Sequence, residues 1–194
     1  MNKKFITALL LVFVSVASAQ ELKTVEATFE DYKILLDAQG YKVYSFDTKD
    51  FSNKSFMPIV KEYIDGKEIQ NSDNDWNTAF TLGERLVVGF MPTDNDTTIM
   101  YTFYSDWGGS IRGQLKLRPV VAPIYPRPIY RYRSIPFELP KTDNKFIPLV
   151  LHCSFWYDNA GRVRCCGEKT INPGFSAEIL KYTPHYFVLG IEIK

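Results

Sequence analysis

With 194 residues the chain can build one domain with a sizeable core, and 23 Lys and Arg against 22 Asp and Glu leave a formal net charge of only +1. That balance excludes a protein held to nucleic acid by its charge. The 14 Phe and 12 Tyr favour pleated, half-buried surfaces, and therefore sheets.

The chain opens with Lys3 and Lys4, an apolar run from Phe5 to Val14, and Ala17-Ser18-Ala19 in front of Gln20. A positive start, an apolar stretch of about ten residues and small residues at the cut form the pattern of a secretory signal peptide, expected over residues 1–19. Losing Lys3 and Lys4 brings the formal charge to −1. The apolar run is shorter than the roughly 20 residues that span a bilayer, and no later segment approaches that length. The expectation is an exported protein, periplasmic or extracellular, with no transmembrane anchor.

Residues 28–39 read as a short helix, with Thr28 as cap, Glu30 and Asp31 in the first turn, Phe29, Tyr32, Leu35 and Leu36 along one face, and Gly40 as the stop; a strand at Tyr32 to Leu36 is the competing reading. Tyr41 to Phe46 is strand-like. Ile59 to Ile64 and Lys67 to Ile69 flank Asp65-Gly66, a dipeptide suited to a tight type I′ hairpin turn. Further strands are expected at 85–90, 98–104 and 110–117. The last is the clearest, because Ile111, Gly113, Leu115 and Leu117 alternate with Arg112, Gln114, Lys116 and Arg118. One wet face argues for antiparallel pairing.

Between residues 119 and 140, prolines interleave with Tyr125, Arg127, Tyr130, Arg131, Tyr132 and Arg133. Proline at this density suits an extended crossover or edge segment on the surface of one domain. Residues 147–156 and 162–166 flank Tyr157-Asp158-Asn159-Ala160-Gly161 as a second hairpin, and 186–193 reads as a buried last strand. The fold expected is mainly β, an antiparallel β-sandwich-like single domain over 20–194 with one short N-terminal helix.

Candidate sites follow from residue chemistry. Asp73, Asp75 and Asn77 offer alternating oxygen ligands, and Glu84 falls at the twelfth position, a partial match to a calcium loop with Thr78 where the turn wants Gly. No other cofactor is indicated. His152 and His185 are isolated in sequence, and His152 reads as a hydrogen-bonded strand histidine. Glu62, Asp65, Glu68, Asp106 and Glu138 are the acids from which a two-carboxylate hydrolase could draw, if the fold brought two of them to roughly 5–9.5 Å. Trp76 and Trp107 lie in polar, turn-like stretches where an exposed indole could stack on a sugar ring. Tyr125, Arg127, Tyr130 and Arg131 form a rival patch for carboxylates or sulfates. Three cysteines, Cys153, Cys165 and Cys166, are an odd number for an oxidising compartment. Cys153 shares strand parity with Leu149, Leu151 and Phe155, and Cys165 shares it with Val163. That parity favours a Cys153–Cys165 disulfide across the second hairpin, with Cys166 opposite Cys153 if the register shifts.

The exported start and phrases such as Pro58-Ile59-Val60-Lys61-Glu62-Tyr63-Ile64-Asp65-Gly66-Lys67 resemble small secreted β-rich proteins of gut Bacteroidetes. Asp96-Thr97-Thr98 is similar to the sequon at which those bacteria O-glycosylate exported proteins. The resemblance implies a periplasmic or surface setting rich in glycans. The leading expectation is a secreted, non-catalytic domain that binds a glycan or a cell-surface protein. A carboxylate-based hydrolase acting on carbohydrate and a structural cell-envelope component are the alternatives.

Overall fold

The alternation around Ile111 and Leu115 is realised as a strand with those two side chains buried and Arg112, Gln114 and Lys116 in water. It belongs to a computed structural model that describes residues 24–69, 79–107, 109–121, 128–139, 146–165, 167–174 and 177–194. The chain divides into two compact units, Met1–Ile34 and Leu35–Lys194. The first, over its described residues, contains the start of helix α1 (Phe29–Ala38). There the Asp31 carboxylate reaches back to the Thr28 backbone N–H at 2.7 Å and to its hydroxyl at 2.9 Å, which holds Asp31 below the usual carboxylate pKa range.

The second unit contains the end of α1 and every described strand. Tyr41 N–H donates to Leu36 O and Gly40 N–H to Asp37 O, both at 3.0 Å, with Gly40 at φ 87°. That is the Schellman stop that a glycine at this position makes cheap. Two antiparallel sheets follow. The four-stranded sheet has the order β1 (Lys42–Asp47), β5 (Arg85–Pro92), β6 (Thr98–Ser105) and β7 (Gly109–Lys116). The six-stranded sheet runs β3 (Lys67–Ile69), β2 (Ser55–Ile64), β12 (His185–Ile193), β9 (Phe146–Ser154) and β8 (Tyr132–Pro136), with β4 (Phe80–Thr81) also on β2. Asp65 (φ 48°) and Gly66 (φ 75°) make the expected I′ turn, pairing Ile64 with Lys67. The Pro/Tyr/Arg segment supplies β8, an edge strand, as its prolines require.

Phe56, Leu86, Val88, Phe90, Tyr101, Phe103, Leu115, Leu149 and Phe187 belong to one buried cluster contributed by both sheets, so the architecture is a β-sandwich. A second cluster covers the other face of the six-stranded sheet. It joins Ile135, Leu151, Cys153 and Val188 to Ile179 and Leu180 of a short 3-10 helix, Glu178–Lys181. Strands β9 and β12 are therefore buried on both faces, and read as continuous apolar runs.

The expected cysteine pairing is corrected here. Val150 pairs with Leu189 and Pro148 with Gly190, so Leu149 is an extra residue in a β-bulge. The bulge reverses parity: Leu149 joins the inter-sheet core, whereas Leu151 and Cys153 face the second cluster. Cys153 lies between Arg133 and Tyr186, while the hairpin of β10 (Trp156–Tyr157) and β11 (Val163–Arg164) pairs Trp156 with Arg164, a register that carries Cys165 opposite Phe155. Cys153 is buried, Cys165 is exposed, and the two are not bonded to each other. Cys166 lies outside the described residues. Among the described residues, no helix is long and apolar enough to cross a membrane.

Candidate functional site

Polar residues sit where the sandwich expects apolar ones. On the inter-sheet face of the six-stranded sheet, neighbouring strands present Ser134 and Tyr132 from β8, His152 and Ser154 from β9, His185 from β12 and Glu62 from β2. Burying such groups is costly unless they are hydrogen-bonded, and most of these are.

Glu62, His185 and Tyr132 form a chain. Glu62 Oε1 lies 3.1 Å from His185 Nε2 and 3.4 Å from Arg118 Nε. His185 Nδ1 in turn contacts the Tyr132 hydroxyl, which also accepts the Arg118 backbone N–H at 2.9 Å. A carboxylate on Nε2 selects the tautomer with the proton there and leaves Nδ1 an acceptor, and the single Tyr132 hydroxyl proton has two acceptors in reach, Nδ1 and the Arg118 carbonyl at 3.0 Å. Burial lowers the His185 pKa against the opposing pull of Glu62, and burial also raises that of Tyr132. Both stay neutral at neutral pH.

His152 lies beside this chain. Its ring stacks on Phe90 of the opposite sheet at 4.9 Å and on Tyr132 at 5.2 Å, and its Nδ1 is 2.8 Å from Ser134 Oγ. Its Nε2 and the Ser154 hydroxyl have no hydrogen-bond partner among the described residues. Burial, then the nearby His185, pushes the His152 pKa down to about 3. Tyr44 of β1 donates its hydroxyl to Ser134 O at 2.8 Å, and burial pushes its pKa up to about 12.

These rings wall a cleft of about 580 Å³ at one end of the sandwich, where Tyr130 and Phe155 complete an aromatic lining with Tyr44, Phe90 and Tyr132. Thr93, Asn95 and Asp96 of the β5–β6 loop and Thr98 at the start of β6 supply its polar rim. The loop is tied down: Asn95 Oδ1 accepts the Thr97 N–H at 3.0 Å and its hydroxyl at 2.7 Å. Two cations also line the cleft, each already engaged. Lys42 pairs with Asp37 at 2.7 Å, and Arg133 Nη2 donates to Glu168 O at 3.0 Å. A somewhat larger cavity, about 610 Å³, lies against Tyr63, Lys181, Tyr182 and Tyr186.

Of the residues expected from sequence to bind a ligand, Tyr130 lines the cleft. Arg131 is exposed, and its carbonyl accepts the Phe155 N–H at 2.9 Å. Trp107 is 61% exposed but sits in the β6–β7 turn, about 23 Å along β6 from the rim at Thr98. It covers a small hollow of about 90 Å³ beside Phe56, Phe80 and Ile111. Trp76, Tyr125 and Arg127 lie outside the described residues, as do Asp73, Asp75 and Asn77 of the calcium loop. Glu84, the remaining member of that loop, lines a shallow groove with Asp47 and Asp106. Among the described residues, no group of three His, Cys, Asp or Glu could hold a metal ion. Of the acids considered for hydrolysis, Glu62, Asp65 and Glu68 share the β2–β3 hairpin, where Glu62 faces His185 and Glu68 accepts from Tyr63, the next residue along β2; Glu138 accepts from Thr170, and Asp106 is at the Trp107 end. Sequence reading misses Tyr44, Phe90 and the Glu62–His185 pair. The available signal was polar side chains at inward positions of apolar strands.

Fold and site together define an antiparallel β-sandwich with an aromatic cleft at one end, backed by a buried polar chain. Residues 68–194 match the family described as Domain of unknown function (DUF5041), and the chain belongs to that family. No curated protein and no solved structure matches it. The matched span includes Phe90, Tyr132, His152 and His185, whereas Tyr44 and Glu62 precede it.

Proposed function

We propose that this chain is an exported binding domain that takes a carbohydrate in the cleft between the β5–β6 loop and β8. The observation that supports the reading is the lining itself: five aromatic rings with a rim of hydroxyl, amide and carboxylate groups. The C–H face of a sugar stacks on such rings while its hydroxyls bond to the rim. Tyr44, Tyr132 and His152, which wall the cleft, are neutral at neutral pH, which suits an uncharged ligand. The resemblance to secreted proteins of gut Bacteroidetes adds a glycan-rich setting. Among the described residues, Asp96 is the one acid lining the cleft, which favours binding over a two-carboxylate hydrolysis.

The test is a glycan array followed by calorimetry on the hits. Wild-type protein should retain a defined set of glycans, and Tyr130→Ala should weaken them about tenfold or more, an effect of about 1.4 kcal/mol. Retention untouched by Tyr130→Ala and by Asn95→Ala would remove the cleft from the reading, and release of a shortened sugar would favour the hydrolase.

A further inference from the structure

The cleft is blind, because the two sheets that wall it are tied to each other around it. At one flank Tyr44 of β1 donates its hydroxyl to Ser134 O of β8 at 2.8 Å, and these are edge strands of the two sheets. That bond shuts the flank. At the opposite edge of the four-stranded sheet, just past β7, the Arg118 backbone N–H donates to the Tyr132 hydroxyl at 2.9 Å, and Arg118 Nε lies 3.4 Å from Glu62 Oε1. The second flank is shut as well. Between the flanks, Phe90 and His152 stack across the sheets at 4.9 Å, and at 1% and 3% exposure they lead straight into the inter-sheet core. They are the floor.

The exposed lining residues gather at one end. Gly40 and Lys42 lie at the start of β1, with Pro92, Asn95 and Asp96 at the end of β5 and in the loop that follows, so together they frame one mouth. A groove open at both ends lets a polymer run through and adds contacts with each ring of the chain, whereas a pit with one mouth admits only a chain end. Size sets a second limit. At about 580 Å³ the cleft has the volume of a site for one small molecule, which is room for about one or two sugar rings. With Lys42 held by Asp37 and Arg133 by Glu168 O, the polar groups left to a ligand are hydroxyls, amides and one carboxylate, which fit a neutral sugar.

With a carbohydrate as the ligand, as proposed above, we infer that the cleft takes the terminal one or two residues of a neutral glycan and rejects an internal run of the same chain. Further rings stay outside the mouth, in water, and add nothing to affinity.

Calorimetry on the full chain with soluble homo-oligosaccharides of glucose, galactose, mannose and xylose, from mono- to hexasaccharide, tests it. In a series that binds, affinity should rise to the disaccharide and then stay within about threefold up to the hexasaccharide. Partial cleavage of the matching polysaccharide should raise the amount of protein bound per gram in proportion to the ends created. Tyr44→Ala opens the β1–β8 flank, and with its circular dichroism unchanged it should raise the ratio of tetrasaccharide to disaccharide affinity about threefold or more. Wild-type affinity that climbs beyond that limit with length, a polysaccharide whose capacity is indifferent to cutting, or a folded Tyr44→Ala with an unaltered ratio overturns chain-end recognition and leaves the carbohydrate reading standing. No binding at any length overturns both.

Discussion

Glu62 and His185 are 123 residues apart in sequence and on adjacent strands in space, with Oε1 of one 3.1 Å from Nε2 of the other. Both side chains are nearly excluded from water, so each is the other's main compensation for burial. Glu62→Ala should cost about 2–4 kcal/mol, because it strands His185 and frees Tyr132 to move, whereas Glu62→Gln keeps an acceptor and should cost about 1 kcal/mol. Urea unfolding of the two variants measures the difference. Equal losses would show that the hydrogen bond to His185 is not what the carboxylate contributes.

The buried histidines make stability fall in acid. His152 takes a proton near pH 6.5 when unfolded and near pH 3 when folded, so between those values the unfolded chain binds more protons. Stability is complete above about pH 6.5 and declines as pH drops toward 3, by up to about 1.4 kcal/mol per pH unit from this residue, with His185 acting in the same direction. His152→Phe keeps a ring between Phe90 and Tyr132 and should flatten the decline. Denaturation at pH 7, 6 and 5 reads it, and an identical slope in the variant would exclude His152.

Gly113 faces Tyr101 across the β6–β7 ladder, and a methyl group there would sit 2.7 Å from Tyr101 Cε1. Tyr101 is fully buried and has nowhere to move. Gly113→Ala should destabilise the fold by about 1–3 kcal/mol despite the better strand propensity of alanine. Thermal unfolding checks the sign; a gain in stability would mean that the core here is looser than the packing implies.

Cys165 is exposed and Cys153 is buried in the second cluster. Brief alkylation of the native protein should label Cys165 and leave Cys153 protected until denaturant is added, as peptide masses will record. Recovery of a Cys153–Cys165 linked peptide would overturn the register of β10 with β11.

Local signals in the sequence describe local structure well. The Asp65-Gly66 turn, the alternation of β7 and the Thr28 and Gly40 ends of α1 each depend on a few adjacent residues, and each is realised. The bulge at Leu149 has no such signature, since one extra residue in an apolar run changes parity without changing composition, and the cysteine pairing fails with it. The cleft is harder still. Tyr44, Phe90, Tyr132 and His152 come from four strands in two sheets, and only packing one sheet on the other brings their rings together. His185 and Glu62 look like isolated polar residues until β12 is laid against β2.

Because β1 and β2 precede residue 68, a protein trimmed to the family's matched span would lose a strand from each sheet. Strand β12, buried on both faces and paired on both sides, would become an open edge nine residues long with no charge before Glu192. Such an edge is a template for the strands of other chains. Within residues 42–64, β2 therefore keeps the edge of β12 occupied. Supplied separately as a peptide, the β2 sequence should rescue the solubility of the trimmed chain by donor-strand complementation.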